Sequence, residues 1–370
     1  MEPSALTLLG LFLLFILGFA NGTNDVSKGI ATLAGSGESS LPGAIGWGAV
    51  WTSLGSMSGI LWGGAVLHNI TTGLTKSGTS LPVVASIAVI ASATGWVLLS
   101  SLVGWPVSTT HAILGGLLGA GAATVGMESL SWDHAAKTVL LPLLLSPFLA
   151  GFMAFLATGI FPKPEESSGG FKICLFPVPE RIPGTPGTAL LERTETCFVC
   201  PDESRPASAN PGFRIGSGPL HWISGGLLSF ARGLNDTPKF VAVALLAMPA
   251  GENLPTSPLF LVSALAIGAG SWYGGKRVTT VMSFKIAKMD RHQGLLANAV
   301  STLLVIGASP LGLPVSTTHV SAGAILGSGA SGKEGGIIWG TVRSMAGAWV
   351  FTVPASAILA EILVWMLRSV

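Results

Sequence analysis

Apolar residues in this chain run in long unbroken stretches; they do not alternate with polar ones. Residues 6–20 and 139–161 are apolar almost throughout. Runs of this length predict helices surrounded by lipid or by other helices, whereas the strands of a membrane barrel would alternate. Five such segments precede a polar stretch: 5–35, 43–67, 81–103, 107–126 and 137–161. Five follow it: 219–247, 259–275, 293–309, 315–331 and 336–367. The predicted fold is an all-α polytopic membrane protein. It divides into a first transmembrane repeat at 1–161, a linker at 162–216 and a second repeat at 217–370.

Polar islands inside the apolar segments show the repetition. Asn-Gly-Thr-Asn-Asp-Val-Ser-Lys at 21–28 is echoed by Arg-Gly-Leu-Asn-Asp-Thr-Pro-Lys at 232–239. Pro-Val-Ser-Thr-Thr-His at 106–111 returns unchanged at 314–319. The spacing is nearly constant: 211 residues from Asn24 to Asn235, 208 from Ser108 to Ser316 and from Thr71 to Thr279, 207 from Pro147 to Pro354. Matches in the same order imply an ancestral duplication. An odd number of spans per copy then turns the second copy upside down, giving two inverted-topology repeats. The loops on one side, including 162–216, hold 12 Lys and Arg against three on the other. The positive-inside rule makes the first side cytoplasmic and puts both termini outside. Lys28, Arg232, Lys239 and Arg343 fall within apolar segments.

Composition agrees. Mean hydropathy is +0.66 and 10% of residues are charged, where a soluble domain carries about 25%. The net charge of +2 comes with no basic patch, so no nucleic-acid partner is expected. Residues 1–20 lack a basic leading region, and the first run is read as a retained span. The stretch 162–216 carries 13 of the 36 charged residues, nine prolines and Cys174, Cys197 and Cys200. It is expected to be a cytoplasmic linker, with a short strand at 171–176. Three thiols fall short of a closed zinc site.

Pro followed by Ser and Thr reads as a helix start, because Pro suits the first turn and hydroxyls cap free N–H groups. The first N–H groups of a helix have no internal partner and attract anions. Three hydroxyls beside them supply donors for a tetrahedral oxyanion. Two such starts meeting from opposite sides would form one site, which requires 81–126 and 293–331 to be re-entrant helical hairpins. An ordinary surface turn is the other reading of each string. Asp25 and Asp236 lie deep in long segments. Gly22 and Gly233 are expected to let those helices unwind, so that freed carbonyls and a carboxylate make a Na⁺ site or a protonatable group. A purely structural pairing of the aspartates with Lys28 and Lys239 is the alternative. His111 and His319 read either as titrating groups or as donors to a nearby carbonyl. Arg343 lines the pathway or reaches toward the interface. Arg232 stands where the first copy has Asn21, which breaks the symmetry.

These strings resemble the inorganic phosphate transporter (PiT) family, which carries a repeated Gly-Ala-Asn-Asp signature and repeated Pro-Val-Ser-Thr-Thr-His-type strings. The resemblance covers everything except 162–216. It implies phosphate uptake coupled to Na⁺ or H⁺, an inverted-repeat fold, external termini, a plasma (inner) membrane location and a homodimer, with no other cofactor. It places Asn24, Ser108, Thr109, Thr110, Asn235, Ser316, Thr317 and Thr318 around phosphate. Asp25 and Asp236 would serve the coupling ion, as metal ligands if that ion is Na⁺. Lys28, Lys239 and Arg232 depart from the family pattern and are read as charge-balancing.

The expected function is secondary active transport of inorganic phosphate by alternating access, not enzymatic catalysis. Sulfate and arsenate are also tetrahedral oxyanions. An intramembrane hydrolase built on Ser108, His111 and Asp25 would need one such set, and the chain has two. A passive anion channel would not need the aspartates.

Overall fold

The computed structural model describes residues 5–64, 66–68, 76, 81–161, 217–248, 255–308, 311, 315–331 and 336–369. The linker 162–216, with its predicted strand and its cysteines, lies outside the described residues, as do Thr71, Thr72 and Pro314. Each of the ten predicted segments corresponds to a helix. The first half has α1 (Ala5–Gly35), α2 (Leu41–Trp62), α3 (Val83–Val103), α4 (Thr109–Val125) and α5 (Leu141–Ile160). The second half has α6 (Ser217–Leu246), α7 (Thr256–Gly274), α8 (Lys276–Phe284), α9 (Arg291–Ala308), α10 (Thr317–Ser331) and α11 (Trp339–Arg368). The short α8 falls in a stretch read from sequence as a loop. Its basic residues hid a helix whose Val278, Thr279, Met282 and Ser283 are buried.

Local chemistry sets the helix ends. Ser40 caps α2 by accepting from Gly43 N at 3.3 Å. Gly104, with φ +85°, closes α3, and the N–H of Trp105 returns to the Ser100 carbonyl at 2.8 Å. A left-handed residue here is nearly free only for glycine. Five residues later α4 begins, so α3 and α4 form a hairpin with a tight tip. Helices α9 and α10 form the second hairpin.

Packing is reciprocal between the halves. Helix α1 lies along α7, and α6 lies along α2. Likewise α4 packs on α11 and α10 on α5. Close approach at these crossings depends on small residues. A Cβ on Gly22 would lie 2.7 Å from Ser271 N, and one on Gly233 would lie 2.7 Å from Ser56 N. The same holds at Gly119 against Ala357 and Gly327 against Gly151. This is the small-residue packing that membrane helices use, since lipid gives no hydrophobic drive for association.

The predicted unwinding at Gly22 and Gly233 is corrected here: α1 and α6 run through both glycines as continuous helix. The glycines serve interhelical contact, not backbone freedom. One carbonyl is released by another route, because Pro238 inside α6 has no N–H to offer Leu234 O four residues earlier.

Among the described residues, four spans are long and apolar enough to cross a membrane: Thr7–Gly35, Val83–Val103, Ala135–Ile160 and Trp339–Arg368. Large apolar side chains face outward on α5 (Leu144, Phe148, Phe152) and α11 (Val350, Phe351, Trp365). Polar groups such as Asn24, Asp25, Lys28, Arg232 and Asp236 are buried. This inversion of the soluble pattern suits a bilayer.

Overpacking gives the first test. Gly22→Ala and Gly233→Ala should each cost about 1–3 kcal/mol, read as a fall in apparent unfolding temperature in detergent. Gly95→Ala, with open space around its Cβ, should cause no fall. Equal behaviour of all three would refute the close-packing account.

Candidate functional site

The two hairpin tips meet. Thr318 at the start of α10 donates its hydroxyl to the Val107 carbonyl in the other tip at 2.8 Å. The His111 and His319 rings touch in a tilted arrangement at a centroid distance of 4.6 Å, and His319 lies tilted against Trp349 at 4.1 Å. Both helix starts are capped as the sequence predicts. Ser108 Oγ accepts from His111 N at 3.2 Å, and Ser316 Oγ accepts from His319 N at 3.3 Å.

Helix α1 holds the first tip through its polar face. Asn24 donates to the Trp105 carbonyl (2.9 Å) and to Ser101 Oγ (3.0 Å), and its Oδ1 accepts from Val107 N at 3.1 Å. Lys28 donates to the Val107 carbonyl at 3.0 Å and to Asp25 Oδ1. Asn21 donates to Asp25 Oδ2 (2.8 Å) and to Thr109 Oγ1 (3.1 Å). Helix α6 joins the tips to each other. Lys239 Nζ reaches Asn235 Oδ1 (2.7 Å), Asp236 Oδ1 (2.8 Å), Thr110 Oγ1 (2.8 Å) and the Val315 carbonyl (3.2 Å). Thr317 is buried beside them at the start of α10. The predicted site residues therefore gather in one buried cluster.

Asn21, Thr52 and Ser101 complete the cluster. Arg232 donates to Thr52 Oγ1 at 2.7 Å and to Asn21 Oδ1 at 3.4 Å, so it turns across to the first half. Asn21 was legible, because it stands four residues before Asp25 on the same helix face. Thr52 and Ser101 carried no sequence signal, since each sits in an apolar helix whose partner only the fold supplies.

The charges do not balance. Lys28, Lys239 and Arg232 face Asp25 and Asp236, all nearly fully buried, which leaves one excess positive charge. Several buried polar atoms have no hydrogen-bond partner among the described residues: Arg232 Nε, His111 Nδ1, His319 Nε2 and Asp236 Oδ2. Such atoms are rare in native interiors and call for an explanation. Among the described residues, no hydrogen bond links the side chains of Ser108, His111 and Asp25 to one another. Ser108 Oγ receives the main-chain N–H of His111, and the Asp25 carboxylate is held by Lys28 and Asn21. Among the described residues, no three His, Cys, Asp or Glu side chains converge on a metal position.

A model of the phosphate transporter family matches residues 21–360. The chain belongs to this family. A probable low-affinity inorganic phosphate transporter of Rhizobium meliloti is 28% identical over 93% of this chain and 91% of its own length. One from Bacillus subtilis is 27% identical over 99% of this chain and 98% of its own. A solved structure, the sodium-dependent phosphate transporter, matches with a TM-score of 0.77 at 22% identity, covering 99% of this chain and 100% of that one. The last likeness concerns fold. With its apolar helices, this family member is an integral membrane protein.

Asn24 should be central to the tip. Asn24→Ala leaves the Trp105 carbonyl and Val107 N without their partner, at about 1–3 kcal/mol per buried group. Asn24→Asp keeps the acceptor for Val107 N but sets a buried carboxylate against the Trp105 carbonyl, and should lose at least as much. Unfolding temperatures of the two variants in detergent check this; an Asp variant as stable as the wild type would show that the amide's donation to the Trp105 carbonyl is immaterial.

Proposed function

We propose that this chain takes up inorganic phosphate by alternating access, driven by a cation gradient of Na⁺ or H⁺. The observation that carries the reading is the meeting of two capped helix starts inside a buried cluster with one excess positive charge. An oxyanion is the guest that such a cluster favours. Hydroxyls of Ser108, Thr109, Thr110, Ser316, Thr317 and Thr318, with Asn24 and Asn235, lie beside those starts. The unpartnered Arg232 Nε and the two imidazole nitrogens are further groups for a polar guest to engage. The curated relatives are named as phosphate transporters or permeases, which supports phosphate and supports transport over catalysis.

In this reading Asp25 and Asp236 are the coupling carboxylates, and Lys28, Lys239 and Arg232 balance charge. The two halves form inverted repeats whose hairpins are re-entrant. The protein works in the plasma (inner) membrane as a homodimer, with both termini outside and 162–216 in the cytoplasm. The basic-residue asymmetry supports the orientation, and the outward apolar faces of α5 and α11 suit lipid or a second copy.

Purified protein in liposomes should accumulate labelled phosphate against its gradient when a cation gradient is imposed, and excess sulfate should compete weakly. Flux without accumulation would indicate a channel, and strong competition by sulfate a broader oxyanion permease. Asp236→Asn should retain a folded, monodisperse protein and lose most accumulation, by about tenfold if one coupling interaction of ordinary size is removed. Full accumulation in that variant would remove Asp236 from the coupling role.

A further inference from the structure

Both aspartates assigned to the coupling cation already hold a cation of the chain's own. Lys28 Nζ lies between Asp25 Oδ1 and the Val107 carbonyl of the first tip. Lys239 Nζ lies among Asp236 Oδ1, Asn235 Oδ1, Thr110 Oγ1 and the Val315 carbonyl of the second tip. A carboxylate, a neighbouring side-chain oxygen and a main-chain carbonyl are the hard oxygens that would bind Na⁺ in a carrier of this kind. Here the ammonium groups take those oxygens. The arrangement occurs twice, each time three residues after the aspartate and each time reaching the tip carbonyl directly before the capping serine. The second oxygen of Asp25 is also engaged, by Asn21.

A sodium ion therefore does not fit these residues. It would have to expel a buried ammonium from its only carboxylate neighbour on the same helix turn. It would also enter a cluster that already carries an excess positive charge. We propose that Lys28 and Lys239 are tethered replacements for sodium at Asp25 and Asp236, so that this chain binds and moves its oxyanion without sodium. The identity of the anion rests on the function proposed above; the occupation of the carboxylates does not. Of the two cations named there, the proton is the one left to couple.

The test has two arms on the full-length chain. In the first, purified protein without phosphate is titrated with NaCl against choline chloride at constant ionic strength. Binding of radioactive sodium and the unfolding temperature are followed. No saturable sodium binding and no sodium-specific shift are expected; saturable binding overturns the proposal. In the second, phosphate uptake into liposomes is compared in sodium and in choline. Equal rates are expected, and a loss of about tenfold or more in choline, the size of an ordinary coupling, overturns the proposal. If phosphate is neither bound nor moved in any cation, the phosphate reading fails and the sodium-binding arm still decides this one. The double variant Lys28→Gln with Lys239→Gln should gain saturable sodium binding. A folded double variant that binds none overturns the replacement role, and if that variant does not fold, the two wild-type arms stand on their own.

Discussion

A stretch of irregular backbone sealed inside a protein must have every N–H and carbonyl paired, and the first hairpin tip of this chain meets that demand with side chains from three helices, α1 foremost. Gly104 ends α3, Pro106 cannot donate, and Val107 and Ser108 are buried. Most of the missing partners come from Asn24 and Lys28 on α1, four residues apart and hence on one helix face, while Trp349 of α11 donates to the Pro106 carbonyl at 2.9 Å and Thr318 of α10 to the Val107 carbonyl. The second tip depends in the same way on Lys239, which reaches the Val315 carbonyl. The Asn-Asp string and the Pro-Val-Ser-Thr-Thr-His string are therefore two sides of one contact. A change in either alters both the fold of the tip and the chemistry beside it.

The same logic operates between the halves. The repeats are units of sequence, while the packing units combine parts of both. Helix α4 of the first hairpin rests on α11, and α10 of the second rests on α5. Ser356 of α11 donates to the Ala112 carbonyl in α4 at 2.6 Å, and His319 of α10 lies 3.1 Å from the Leu143 carbonyl in α5. Each tip is thus placed by the other half. Neither half contains a complete cluster, because Arg232 needs Thr52 and Thr318 needs Val107.

Much of this was legible beforehand. Continuous apolar runs marked ten helices, since in an apolar environment length and polarity decide where a helix lies more strongly than propensity does. Repeated polar strings marked the cluster, since buried polar groups are too costly to keep without use. What stayed hidden depended on partners. Gly22 looked like a place to unwind, because a lone sequence does not show that Ser271 presses against it. Thr52 looked like one more small residue in an apolar helix until Arg232 was found on it. Lys28 and Lys239 were visible as charges, but that their ammonium groups sit on tip carbonyls required the hairpins to be folded.

Arg232 explains why near-symmetry alone would not suffice. Two identical copies, each with one aspartate and one lysine, would make a neutral pair of ion pairs. An anion entering such a cluster would be an unmatched charge in an environment that charges avoid. Asn21 serves Asp25 in the first copy. Its counterpart Arg232 brings its guanidinium to Asn21 and Thr52, and Asp236 Oδ2 has no hydrogen-bond partner among the described residues. The substitution thus adds one positive charge and shifts it toward the first tip. At an effective dielectric of about 20, a charge roughly 4 Å from an opposite charge is worth about 4 kcal/mol, so one more guanidinium changes the local field substantially. The break in the repeat, more than the repeat itself, gives the cluster its third positive group.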